Sequence, residues 1–161
     1  MPMLLELRNS ALSEISEDPW LSPEGDAMVP STGANRTTVT LAQFDPAEHQ
    51  GLWLQIDAEP EQALSGVALI AVEFPAFNDG RGLSLAVLLR SRYNYTGELR
   101  AVGATHPDLL HYMRRCGFDT ALLPEPHDFA SAEAAFNPYS DYYQASISNP
   151  EPAFRRLRRG A

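Results

Sequence analysis

The sequence contains no lysine, a single cysteine and no long apolar run. Each absence removes a class of function. All twelve basic residues are arginine, which excludes Schiff-base lysine catalysis and the phosphate-binding lysine of a P-loop. Cys116 has no second cysteine to pair with, so the chain closes no internal disulfide. No segment approaches the roughly 20 apolar residues of a membrane span. The N-terminus also lacks a basic stretch followed by an apolar one, so the cytoplasm is the expected compartment and no membrane partner is expected. Positive charge is scarce: 12 arginines face 21 acidic residues, for a net charge of −9. That balance argues against nucleic-acid binding. Four of the arginines stand together as Arg155, Arg156, Arg158 and Arg159, leaving the rest of the chain more acidic still. This basic tip reads as a solvated tail, or as a contact for an acidic partner or for the domain's own acidic surface.

Metal-site spacing is missing as well. His106, His111 and Cys116 stand five residues apart, a step that turns about 140° around a helix and points ligands away from one another. No nucleophile elbow, kinase set or zincin motif occurs. No metal and no flavin, haem or other cofactor is expected.

What is present fits one domain. A chain of 161 residues with 44% hydrophobic and 20% charged residues can bury a full core. Residues 1–36 carry Pro19, Pro23, Gly25, Pro30 and Gly33 and show little periodicity. They are expected to form a mostly irregular arm, with Trp20 and Leu21 docked on the domain. Residues 37–147 read as a single α/β domain, and 148–161 as a Pro/Arg-rich tail. Strands are predicted over 37–41, 51–56, 67–74, 98–102 and 120–123. A helical turn is expected over 45–50 and a short helix over 59–65. Longer helices are predicted over 83–92, 107–116 and 131–136, with Gly117 closing the second and Thr105 capping its start as Asp108 reaches back. These repeating strand–helix units imply right-handed crossovers and a mainly parallel sheet, either open or partial-barrel-like.

Ligands in such folds bind beyond the carboxyl ends of the strands. That edge should carry Asp79, Arg81, His106 and His127. The leading candidate is the loop Asn78, Asp79, Gly80, Arg81 and Gly82, joined by Thr105 and His106. Arg81 lies near a helix start, where the dipole disfavours a cation by roughly 0.3–1 kcal/mol. It either awaits an anionic ligand, with Gly80 and Gly82 allowing close backbone approach, or simply pairs with Asp79. Glu73, Glu98 and Arg100 fall on strands expected to be buried, so each needs a partner. Glu73 can meet Arg100 if their strands are neighbours, and Glu98 competes from two residues away. Glu73→Gln is expected to cost more than a surface change. Cys116 reads as a structural cysteine rather than a reactive one.

The strings Glu73-Phe74-Pro75, Asp79-Gly80-Arg81-Gly82, Leu88-Leu89-Arg90, Gly97-Glu98-Leu99-Arg100-Ala101 and Arg115-Cys116-Gly117-Phe118-Asp119 occur in this order. In them the chain resembles a bacterial domain-of-unknown-function family commonly encoded beside sulfite reductase genes, whose members are often labelled oxidoreductases. The resemblance implies an accessory protein of sulfite reduction that binds sulfite reductase or another sulfur-assimilation enzyme. An enzyme or sensor for an anionic small molecule, and an interaction module self-associating through Tyr139, Tyr142 and Tyr143, are the alternatives.

Overall fold

A computed structural model of the chain describes residues 2–29, 33–59, 64, 66–124 and 127–159. The strands are β1 (Met3–Glu6), β2 (Ser13–Ile15), β3 (Trp20–Leu21), β4 (Arg36–Thr37), β5 (Val39–Thr40), β6 (Gly51–Gln55), β7 (Leu69–Phe74), β8 (Glu98–Gly103) and β9 (Thr120–Leu123). The helices are α1 (Arg81–Ser91), α2 (Leu110–Cys116), α3 (Phe129–Phe136) and α4 (Ala153–Arg159).

Seven strands form one mixed sheet in the order β2-β1-β9-β8-β7-β6-β5. From β5 to β9 neighbouring strands are parallel and follow chain order, while β1 pairs antiparallel with both β9 and β2. Parallel strands added in sequence by right-handed crossovers put their crossovers on the same face. Residues of α1, α2 and α3 accordingly share one core with Ile70, Val72, Leu99, Ala101, Ala121 and Leu123. The alternate residues Leu69, Ala71 and Val102 face the other way and pack with Trp20 and Met28 of the N-terminal arm. The sheet is therefore buried on both faces by different means, which is why β7 reads as a near-continuous apolar run broken only by Glu73.

The arm is better ordered than its sequence suggests. Residues 1–36 were expected to be mostly irregular, yet β1 and β2 extend the main sheet and β3 pairs with β4. Trp20 is buried as expected, against Leu69 and Ala71. An ion cluster fixes the arm. Arg100 Nη1 reaches Asp18 Oδ2 at 2.6 Å and Arg100 Nη2 reaches Glu98 Oε1 at 2.8 Å. Thr120 Oγ1 donates to the same Glu98 oxygen at 2.7 Å.

Of the two partners the sequence allows Arg100, Glu98 pairs with it and Glu73 does not. Glu73 and Arg100 lie on the same face, but the register sets Arg100 opposite Ala71 and Glu73 opposite Val102. Asp18 and Glu98 take the guanidinium instead. The Glu73 carboxylate accepts from Trp53 Nε1 at 2.8 Å and Gln55 Nε2 at 3.2 Å.

The strand expected over 37–41 is broken, because Thr38 turns aside to donate its amide and hydroxyl to the Leu21 carbonyl. Thr105 is not a cap. It is buried and its hydroxyl donates to the Leu122 carbonyl, while His106 Nδ1 accepts from Asp108 N at 3.3 Å. The 107–116 helix opens as a 3-10 turn at Pro107–Leu109 before α2. Gly117 does close it, at φ 101°. The helix expected over 59–65 lies largely outside the described residues. Beyond residue 148 the chain forms α4 rather than remaining a wholly solvated tail. No helix among the described residues is long and apolar enough to cross a membrane.

Candidate functional site

The carboxyl ends of β7 and β8 position the predicted loop. Asp79 Oδ1 accepts from the Arg81 backbone N–H at 3.1 Å, and its carboxylate takes Arg81 Nε at 3.0 Å and Nη2 at 2.7 Å. The guanidinium holds the Asp79 carboxyl below the usual carboxylate range, and Asp79 in turn raises Arg81. Gly80 is the N-cap of α1, with no side chain capping it and an ordinary φ of −74°. Asp79, one residue earlier, still satisfies one of the free N–H groups of the helix start. Gly82 is needed for packing: a Cβ there would lie 2.5 Å from the Phe74 ring. Asn78 is exposed on the preceding turn.

Of the other edge residues, His106 stands half-exposed beside His127, with ring centroids 5.3 Å apart and edge-on. Phe77 approaches His106 at 6.3 Å. Thr105 points inward and is not available at this edge. Among the described residues no three His, Cys, Asp or Glu side chains gather in a way that would hold a metal ion.

A second surface emerges where α2 meets the segment 137–154. Tyr112, Tyr139, Tyr142 and Tyr143 border one shallow depression of about 530 Å³, with His111 and Arg115. Tyr143 is 74% exposed, Tyr139 65% and Tyr112 51%. Phe154 of α4 lies 6.5 Å from Tyr143 between ring centroids, and Tyr139 meets Tyr142 edge-on at 5.8 Å. The Arg115 guanidinium sits 4.0 Å above the Tyr142 ring.

The segment is tied down without regular structure. Ile147 N donates to the Arg115 carbonyl at 3.0 Å, and Ala153 N to Tyr143 O at 3.2 Å. Asn137 Nδ2 donates to Ser10 O at 2.6 Å. Arg156 pairs with Asp141 and also donates to the carbonyls of Glu151 and Tyr142. The pair holds the Asp141 carboxyl below its usual range. Part of the basic tip therefore contacts the chain's own acidic surface.

Two titratable groups border this surface. Burial, and then the Arg115 charge, lower the His111 imidazole, favouring its neutral form. Burial raises the half-buried Cys116 thiol against the opposing pull of Arg115, so a reactive thiolate is disfavoured.

The match to a family model runs from residue 51 to residue 154, from the start of β6 into α4. The chain belongs to the family described as bacterial protein of unknown function (DUF934). No curated protein and no solved structure matches it. The family segment contains both the 78–82 loop and the tyrosine-lined surface. It leaves out β1 to β5, and with them Asp18.

Sequence reasoning named Tyr139, Tyr142 and Tyr143 only as self-association candidates and passed over Tyr112, Phe154, Arg114 and Arg115 in this role. A signal existed: paired arginines in one helix and a tyrosine-rich segment some 25 residues later. Nothing in the spacing says that the two meet.

Proposed function

We propose that this protein is an accessory binding protein that docks on a larger protein through its tyrosine-lined surface. The observation that carries this is the gathering of four tyrosines and Arg115 around one depression, with Phe154 at its margin. Exposed aromatic patches of this kind mark contact surfaces, and tyrosine and arginine are enriched among the residues that dominate binding energy. Exposed Arg155 and Arg158 on α4 call for an acidic partner surface facing them, while the chain's overall charge of −9 suits basic ground around it. The family resemblance points to sulfite reductase or another enzyme of sulfate assimilation as the partner, in the cytoplasm.

Titration calorimetry with purified sulfite reductase from the same source tests this reading. Wild type should bind saturably and more weakly as salt rises. A Tyr143→Ser/Phe154→Ser variant should bind about tenfold more weakly or worse. Absence of binding by the wild type, or equal binding by the variant, contradicts it. The same exposed tyrosines favour self-association as a second reading, which sedimentation of the chain alone separates from docking.

A further inference from the structure

A more enclosed cavity, also of about 530 Å³, lies between α2 and the 137–149 segment. Arg114, Arg115, Asn137, Ser146, Ser148 and Asn149 contribute to its wall. Its significance comes from how the other arginines are neutralised. Arg8 and Arg90 share Asp119, Arg81 takes Asp79, Arg100 takes Asp18 and Glu98, and Arg156 takes Asp141. Arg36, Arg92, Arg155 and Arg158 stand exposed to water.

Among the described residues, only Arg114 and Arg115 are withdrawn from full exposure without a carboxylate partner. Arg114 Nη1 donates to Asn137 Oδ1 at 3.0 Å, and its guanidinium lies 5.1 Å from the Phe136 ring centroid. Arg115 is stacked on Tyr142. The dipole at the carboxyl end of α2 favours cations there by roughly 0.3–1 kcal/mol. That explains their sign but supplies no counter-charge. Asp141, the acidic group in the same wall, is already engaged by Arg156. The remaining polar groups named above are hydroxyls and amides, which can donate to an anion.

We propose that this cavity binds a small molecule through a doubly charged tetrahedral oxyanion, a phosphate or sulfate group, held between Arg114 and Arg115. A guanidinium presents paired donors that match such an oxyanion, and partial withdrawal from water strengthens the contact. The volume falls within the range of small-ligand sites. The Arg81 loop is the weaker place for the same anion, since Asp79 already occupies that guanidinium.

Calorimetry of the full chain with inorganic phosphate, inorganic sulfate and acetate at constant ionic strength tests the site. Phosphate or sulfate should bind at one site per chain, and acetate should bind at least about tenfold more weakly. Arg114→Gln/Arg115→Gln should abolish the signal, and Arg81→Gln should retain it. Should the double variant fail to fold, Ser148→Asp at an exposed position puts a negative charge into the wall and should also abolish it. Tyr143→Ser/Phe154→Ser, designed against protein docking, should leave it intact, so the two proposals fail separately. Wild type showing no saturable binding, acetate binding as tightly as the dianions, or loss of binding on Arg81→Gln would each overturn the assignment.

Discussion

Arg100 is almost wholly out of water, with its side chain 2% exposed, and Asp18 beside it is equally buried. Burial alone would lower the arginine's affinity for its proton. Asp18 and Glu98 outweigh that and hold it raised. Removing one partner of a buried ion pair strands the other charge, at a cost of about 3–5 kcal/mol. Asp18→Ala leaves Glu98 answering part of that charge and should cost up to that much in a denaturant titration, while Arg81→Ala, which breaks an exposed pair, should leave the midpoint near wild type. Glu73 belongs with the milder case. It answers no cation, and a glutamine there keeps an oxygen acceptor for Trp53, so Glu73→Gln should cost far less than Asp18→Ala. The sequence showed that Arg100 needed a counter-charge. It offered Glu98, which does pair with Arg100, but could not offer Asp18, which lies 82 residues away.

At the scale of elements, legibility followed periodicity and covering. The predicted strand over 120–123 matches β9, and the predicted strands over 51–56, 67–74 and 98–102 match β6, β7 and β8 to within two residues. These strands are packed on both sides, so apolar residues fall on both of their faces. β1 and β2 were missed because they are four and three residues long, and because β2 pairs only with β1, which itself pairs with β9 more than a hundred residues later. Of the tyrosine surface, Tyr139, Tyr142 and Tyr143 were legible but their meeting with α2 was not, because an irregular segment has no period to read. The glycine that ends β8 is required by its backbone and its surroundings. Gly103 has φ 84°, and a Cβ would lie 2.5 Å from the Phe74 carbonyl oxygen. Gly103→Ala should therefore destabilise the domain by at least about 1 kcal/mol. Gly80→Ala, at an ordinary φ with open space around it, should be neutral or slightly stabilising. Thermal midpoints of the two variants decide this.

For the whole molecule, the sheet crosses the boundary of the family segment. Residues 51–154 hold β6 to β9 but lack β1, which pairs with β9, and Asp18, which neutralises Arg100. A fragment of residues 51–154 should consequently show reduced chemical-shift dispersion and bind dyes specific for exposed apolar surface, where the full chain does neither. The same wholeness bears on function. The rim at 78–82 has its strongest charges turned on each other, whereas the opposite concentration of tyrosine and arginine around α2, 137–149 and α4 has aromatic rings left facing water. The most direct measurement of where this protein acts is amide hydrogen exchange of the full chain, alone and mixed with sulfite reductase from the same source. The docking account predicts new protection confined to α2 and residues 137–159. Protection at 75–82 and 104–106 instead, or none anywhere, would contradict it.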